Sequence, residues 1–308
     1  MYALPTISPR ALVERLEEVR TQSAQPGVLA FDCDGTLWSG DVGVDLFSAL
    51  LARRAIQPSA VSALRAEARE YEAGDDGDPH ALAARLHDRY HQGTYPHMRL
   101  CALMAWAFAG YHRQQARRFA DEVMAGAGLA ARFQREVEPV LAWAQQRDVA
   151  VYLVSASPRC VVQAAAATIG VAPENVLAVT PAEDANATLL PRVLDPLPHG
   201  DGKAHVIAAA CPNRTLLGAF GDNGFDAAML RAAKVRVAVR PKEALRQISA
   251  DVPGLVELRD AVDRLGFFDA NPRRFHGWFL PRHHGKICWR SQRFEPMQGS
   301  PRADGGSP

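Results

Sequence analysis

Residues 28–37 read Val28-Leu29-Ala30-Phe31-Asp32-Cys33-Asp34-Gly35-Thr36-Leu37. A short apolar run backed by turn residues reads as a buried strand. It stops abruptly in two carboxylates one residue apart. On extended backbone Asp32 and Asp34 face the same side, because side chains alternate with a period of two. Carboxylates that close repel each other unless a cation lies between them or one takes a proton. Taken alone, the segment is most simply a solvated turn that happens to hold two aspartates, so the rest of the chain decides. In an open α/β sheet, ligands bind just past the carboxyl ends of the strands.

Outward from that stretch, four more apolar runs of strand length follow. They are 149–154, 175–179, 216–220 and 235–239, and helical patterns separate them. Strands alternating with helices imply βαβ units, a parallel sheet and right-handed crossovers. Upstream, residues 9–20 place Leu12, Leu16 and Val19 on one helical face, with Ser8 as N-cap and Pro9 at the first helical position. Between the first and second strands lies a long stretch dense in Ala and Arg. Turn signals interrupt it at Gly74-Asp75-Asp76-Gly77-Asp78-Pro79 and at Gly93-Thr94-Tyr95-Pro96. No period-two segment occurs in it. The 182–199 segment, rich in proline, reads as a hairpin or loop. The expected architecture is an α/β fold, a Rossmann-like doubly wound parallel sheet with an all-helical insertion after strand 1. Residues 1–42 and 135–270 form the core, 43–134 the insertion and 271–308 a basic, partly disordered extension.

Composition limits the alternatives. The 308 residues are 48% hydrophobic and 22% charged, with a formal net charge of +1, as in soluble globular proteins. The extension carries seven Lys/Arg against Glu295 and Asp304, leaving 28 basic and 32 acidic residues before it. Its Trp278, Phe279, Trp289 and arginines could stack on nucleic acid or face lipid, but no recognisable motif accompanies them, so neither partner is expected. The five cysteines are scattered, with no CxxC pair. That argues against a disulfide framework or structural zinc and suits a reducing cytoplasm. No signal-peptide pattern opens the chain. The longest apolar run, Leu100–Tyr111, is too short to span a bilayer and reads as a buried helix.

Strand ends and helix starts present Asp32, Asp34, Ser155, Lys203, Asp222 and Asp226. In a parallel sheet these positions share one edge. Several carboxylates suit Mg²⁺, a hard cation that takes oxygen ligands. A lysine and a hydroxyl at helix starts suit phosphate oxygens. Phosphoryl transfer needs such charge neutralisation and alignment, and a carboxylate can itself be the nucleophile. Each residue also has a plainer role open to it. Ser155 could cap the helix after Pro158, Asp226 could cap the helix after the fourth strand, and Lys203 could be a surface lysine. Cys33, between the aspartates, should point into the core. His87 and His91 sit at i, i+4, but with Asp88 where a zinc protease has Glu and without a third ligand. A solvated helix face is expected there.

With these residues in order, the chain resembles the haloacid dehalogenase-like (HAD) superfamily. Asp32-x-Asp34-Gly35-Thr36 is similar to its first motif, Ser155 to the second, Lys203 to the third and Gly221-Asp222-x-x-x-Asp226 to the fourth. The helical insertion resembles a C1-type cap. Val154-Ser155-Ala156-Ser157-Pro158 and Gly221-Asp222-Asn223 are most similar to the phosphoserine-phosphatase-like branch, subfamily IB. The resemblance implies a Mg²⁺-dependent phosphomonoester hydrolase working through an aspartyl-phosphate. Asp32 would be the nucleophile and Asp34 the general acid and base. Asp32, the backbone carbonyl of Asp34, Asp222 and Asp226 would serve the metal, and Ser155 and Lys203 would hold the phosphate. Asp41 matches the position where phosphoserine phosphatases carry a Glu that meets the substrate amine. It is therefore either a contact for a cationic leaving group (phosphoserine, phosphocholine or phosphoethanolamine) or an N-cap for the next helix. Arg85 and Arg89 are candidates to bind a substrate carboxylate. Phe225 departs from the branch, which has Asn there. A second class of function, a HAD-fold protein that binds a ligand or partner with weak catalysis, is disfavoured by the complete motifs.

Overall fold

A computed structural model describes residues 4–74 and 77–260. The extension 271–308 lies outside the described residues, as do His283, His284 and Cys288. The chain opens with β1 (Thr6–Ile7), α1 (Pro9–Gln22) and β2 (Gly27–Phe31). Seven helices follow without a strand between them: α2 (Val42–Ala52), α3 (Pro58–Glu70), α4 (Pro79–His91), α5 (His97–Trp106), α6 (Arg113–Gly126), α7 (Leu129–Arg132) and α8 (Glu138–Gln146). Next come β3 (Ala150–Pro158), α9 (Arg159–Ala167), β4 (Val176–Val179), β5 (Pro181–Glu183) and β6 (Leu189–Val193). The chain continues through α10 (Asp201–Ala210), β7 (Thr215–Gly221), α11 (Ala227–Ala232), β8 (Val235–Val239), α12 (Glu243–Gln247) and β9 (Leu255–Leu258).

Val28, Leu29, Ala30 and Phe31 are fully buried, which is possible only for a strand covered on both faces. The sheet order β1-β9-β8-β7-β2-β3-β4 explains it. Every pairing in this sheet is parallel, and β2 lies between β3 and β7. The chain builds outward from β2 through β3 and β4, then returns to its other side for β7, β8 and β9. That reversal of direction opens a crevice at the carboxyl end of β2, where α/β sheets bind ligands. It puts Asp32 at the middle of the edge, with the ends of β3 and β7 on either side.

Local chemistry fixes the flanking helices. Ser8 Oγ accepts from Ala11 N at 3.3 Å, Pro9 starts α1, and Leu12 and Leu16 are fully buried beneath the sheet. α5 is the buried helix expected from the apolar run, although it ends at Trp106. Among the described residues no helix is long and apolar enough to cross a membrane. One feature escapes the five-strand expectation, and a second decides between the hairpin and the loop read for 182–199. β1 and β9 extend the sheet by a parallel edge pair, Thr6 with Glu257 and Ile7 with Leu258, too short for alternation to signal. The 182–199 segment resolves as an antiparallel hairpin, β5 with β6, whose Leu189 exchanges backbone hydrogen bonds with Gly110 and Tyr111. The hairpin thereby ties the sheet half of the chain to the turn after α5.

Phe31 and Phe220, paired across β2 and β7, stack with centroids 4.0 Å apart and planes at 8°. Both are buried directly beneath Asp32, whose N–H donates to Phe220 O at 2.9 Å. Phe220→Ala should lower unfolding free energy by about 3–5 kcal/mol, the range for truncating a core aromatic, read from the midpoint of urea denaturation.

Candidate active site

Five chain segments deliver their functional groups to the carboxyl edge of the sheet. Asp32 follows β2, Lys203 lies in the first turn of α10, and Asp222 follows β7. Asp226 comes one short turn later, and Lys242 follows β8. Asp32, Lys203, Asp222 and Asp226 are between 1 and 7% exposed. Burying charge is costly unless it is paired, and here it is. Lys203 Nζ donates to Asp32 Oδ1 at 2.5 Å and to Asp226 Oδ1 at 2.6 Å. Thr36 Oγ1 donates to Asp32 Oδ2 at 2.9 Å. Asp226 Oδ2 accepts the backbone N–H groups of Asp222 and Asn223 at 3.0 and 2.9 Å. Lys242 Nζ lies 2.7 Å from Asp222 Oδ2, and Lys242 N donates to Asp222 O.

Two glycines are required by these contacts. Gly35 has φ +94°, and a Cβ there would sit 2.0 Å from Asp222 Oδ2. A Cβ on Gly221 would sit 2.5 Å from the Asp226 side chain. The carboxylates therefore pack against bare backbone.

Two ammonium groups face three carboxylates, so the cluster retains negative charge. The consequence appears in proton affinity. Burial, and then the charge of Asp226, raise Asp32. Burial and the charge of Asp32 push Asp222 up to about 7. One oxygen of each of Asp32, Asp222 and Asp226 lies within 4.8 Å of the others, the only such three-ligand group among the described residues. Hard oxygen donors with residual negative charge fit Mg²⁺. His87 and His91 contribute to no such group. His87 is half-buried against Phe47 rather than on a solvated face.

Asp34 stands apart from this group. Its Oδ1 accepts from Trp38 Nε1 and from Val42 N, both at 2.8 Å, and its Oδ2 accepts from Ser157 Oγ at 2.7 Å. Burial, then the charge of Asp41, push it up to about 8. A carboxyl held protonated near neutral pH can donate a proton. Asp34 is thus absent from the side-chain metal group, and only its backbone carbonyl remains for the role expected of it.

Ser155 is buried at the end of β3. It does not cap the next helix: Pro158 is the N-cap of α9, and Ser155 Oγ instead accepts from Ser157 N at 3.1 Å. Asp226 closes a capping box with Asn223, so its plainer role and its place in the charge cluster coincide. Asp41 is the N-cap of α2, with Oδ1 accepting from Val44 N at 2.9 Å, and it is also close enough to raise Asp34. Arg85 and Arg89 are not brought to the cluster. They donate to the carbonyls of Ala73 and Glu72, in a cleft lined by Gly74, Asp88 and Gln92.

Several residues of the site were not singled out in the sequence. Lys242 carried a signal, a lysine just past the carboxyl end of the fifth apolar run. Ser157 carried one too, a hydroxyl two residues after Ser155. His97, His199 and Tyr90 carried none, and Phe225, marked in the sequence only as a departure from the branch, joins them. His97 Nδ1 is 2.9 Å from His199 Nε2, and its ring stacks on Phe225 at 5.0 Å and 11°. His199 lies 4.2 Å from Phe225, and Tyr90 5.4 Å from His97. These rings join α4 and α5 to the loops before α10 and after β7. Burial lowers the proton affinity of His97, with smaller effects of opposite sign from Asp41 and from Lys203 and Lys242.

A family model described as haloacid dehalogenase-like hydrolase matches residues 29–231. Among solved structures, the chain is similar to a protein of unknown function from Bordetella pertussis Tohama I. The TM-score is 0.58 at 19% identity, covering 77% of this chain and 99% of that one. It is also similar to a functionally unknown protein from Anaerococcus prevotii DSM 20548, with TM-score 0.56 and 14% identity over 82% and 92% of the two chains. A substrate-bound phosphoserine phosphatase matches at TM-score 0.45 and 12% identity, covering 79% and 98%. A search of curated proteins gives no match.

Lys203→Met leaves two buried carboxylates without their shared cation. It should cost about 3–5 kcal/mol in urea denaturation. Adding Asp226→Asn removes one of those charges and should regain part of the loss, a coupling that a double-mutant cycle reads directly.

Proposed function

The chain belongs to the haloacid dehalogenase-like hydrolase family, and we propose that it is a Mg²⁺-dependent phosphatase of small phosphomonoesters working through an aspartyl-phosphate. The observation that carries the proposal is the pair of unlike aspartates. Asp32 is clasped by Lys203 and Thr36 beside two more carboxylates, whereas Asp34 is pushed up to about 8 away from them. Burial raises both, but the lysine beside Asp32 favours its ionised form, which suits a nucleophile, while Asp34, raised to about 8, suits acid–base work.

In this mechanism Asp32 attacks phosphorus through a carboxylate oxygen, and the ester oxygen leaves as it takes the proton of Asp34. Water then attacks the acyl phosphate while Asp34, now ionised, accepts its proton. Lys203 and the hydroxyl of Ser155 bind the phosphoryl oxygens. Lys203 also keeps Asp32 ionised by offsetting the charge of Asp226. Asp32 and Asp222 would hold Mg²⁺, with Asp226 and the carbonyl of Asp34 in support, and the ion would neutralise charge on the transferring phosphoryl group.

The segment 43–134 acts as the cap in this reading and forms one wall of the leaving-group space through Tyr90 and His97. Asp41 supplies a half-buried carboxylate there, beside both Asp34 and His97. That chemistry favours a leaving group with a cationic nitrogen, as in phosphoserine, phosphoethanolamine or phosphocholine. Unpaired cysteines at positions 33, 101, 160 and 211 support a cytoplasmic setting.

Phosphate release from a panel of phosphorylated metabolites and from p-nitrophenyl phosphate tests the proposal. Turnover should vanish with EDTA, return with Mg²⁺, and fall at least about 1,000-fold in Asp32→Asn, as expected when a covalent nucleophile is removed. Unchanged turnover in Asp32→Asn would show that the nucleophile lies elsewhere. Asp41→Asn should raise KM for amine-bearing esters about tenfold and leave p-nitrophenyl phosphate unaffected, since one charge-assisted hydrogen bond is worth roughly 1.5–3 kcal/mol.

A further inference from the structure

A carboxylate offers about four acceptor directions, two on each oxygen. Three are taken on Asp34. Trp38 Nε1 and Val42 N fill both directions of Oδ1, and Ser157 Oγ fills one of Oδ2. The donors on Oδ1 are N–H groups, which cannot reverse and accept. A proton on Oδ1 would therefore meet two others. Oδ2 has one direction left, and its partner among the described residues is a hydroxyl.

The Ser157 hydroxyl is placed with care. It is 4% exposed, in a stretch where the β3–β4 ladder breaks between Ser155 and Pro158. Bulges of this kind re-aim side chains beside active sites. The Ser157 amide is anchored on Ser155 Oγ. Gly43, at the start of α2, leaves the hydroxyl room: a Cβ there would come within 2.7 Å of Ser157 Oγ.

We propose that Ser157 is the positioning residue for proton transfer by Asp34, fixing Oδ2 as the oxygen that carries and returns the proton. The inference rests on the phosphatase reading above. When the phosphorus–oxygen bond of the ester breaks, its electron pair stays on the leaving oxygen. The O–H bond at Oδ2 breaks, its proton joins that oxygen, and Oδ2 keeps the pair as a carboxylate. Ser157 continues to donate to Oδ2 and stabilises the new charge. In the second half, the attacking water gives its proton back to the same free direction of Oδ2.

The test compares two leaving groups. p-Nitrophenolate departs without protonation, whereas an alkoxide needs it. For Ser157→Ala, kcat/KM on an alkyl phosphomonoester that the unaltered chain hydrolyses should fall about 10- to 100-fold, a share of what general acid catalysis supplies. The kcat/KM on p-nitrophenyl phosphate should stay within about threefold, because that constant ends at release of p-nitrophenolate, a step that draws little on the acid, and excludes the later water attack. Ser157→Thr, which keeps the hydroxyl, should recover most of the alkyl kcat/KM. Equal losses on the two esters, or no loss on the alkyl ester, overturn the inference alone. If the unaltered chain hydrolyses neither ester, the phosphatase reading falls and takes this inference with it.

Discussion

Lys203 sits between Asp32 and Asp226, 3% exposed, and the site is built around that contact. Each of the three charges would cost several kcal/mol to bury alone. Together they form a chain in which one ammonium serves two carboxylates. Burial alone would lower the lysine's proton affinity, yet the two aspartates raise it, so the charge is locked in place. The geometry follows from that lock. α10 must start where Lys203 can reach across to the ends of β2 and β7. A Cβ on Gly202 would lie 1.8 Å from Leu197 O, so the first turn of α10 packs against the preceding loop without a side chain between them.

The aspartates are separated by partners rather than by distance along the chain. Asp32 and Asp34 are two residues apart, but only Asp32 faces the lysine. The turn at Gly35 carries Asp34 toward Trp38 and the start of α2, where Val42 and Ser157 take hold of it. Burial, the nearby charge of Asp41 and then that of Asp32 push it up to about 8. Two identical side chains thus arrive in two unlike environments because the α2 N-terminus claims one and α10 claims the other.

Much of this was legible along the chain. The apolar runs ending in Asp32, Ser155 and Asp222 announced strands whose ends must share an edge, because parallel strands joined by helices leave no other arrangement. Lys203 was legible through the Gly200-Asp201-Gly202 start of its helix. Arg85 and Arg89 show where pattern fails: a helical arginine reveals nothing of which carbonyl it will find, and these two found the turn after α3. The ring group was legible only at Phe225, as a departure from the branch, while Tyr90, His97 and His199 were silent for a related reason. Its members come from four segments, and none has periodicity or spacing in common with another.

The sequence by itself determined the sheet's core strands, the helical insertion and the carboxylates, lysine and serine at one edge. Those follow from local physics: apolar runs of strand length, glycine-led turns and alternation of side chains. Only the tertiary structure decided which aspartate meets the lysine, that Lys242 pairs with Asp222, and that Ser157 reaches Asp34 across 123 positions of sequence. Such contacts depend on the order in which strands lie side by side and on how each helix start is turned. Packing of the whole chain sets both, and no single segment carries the information.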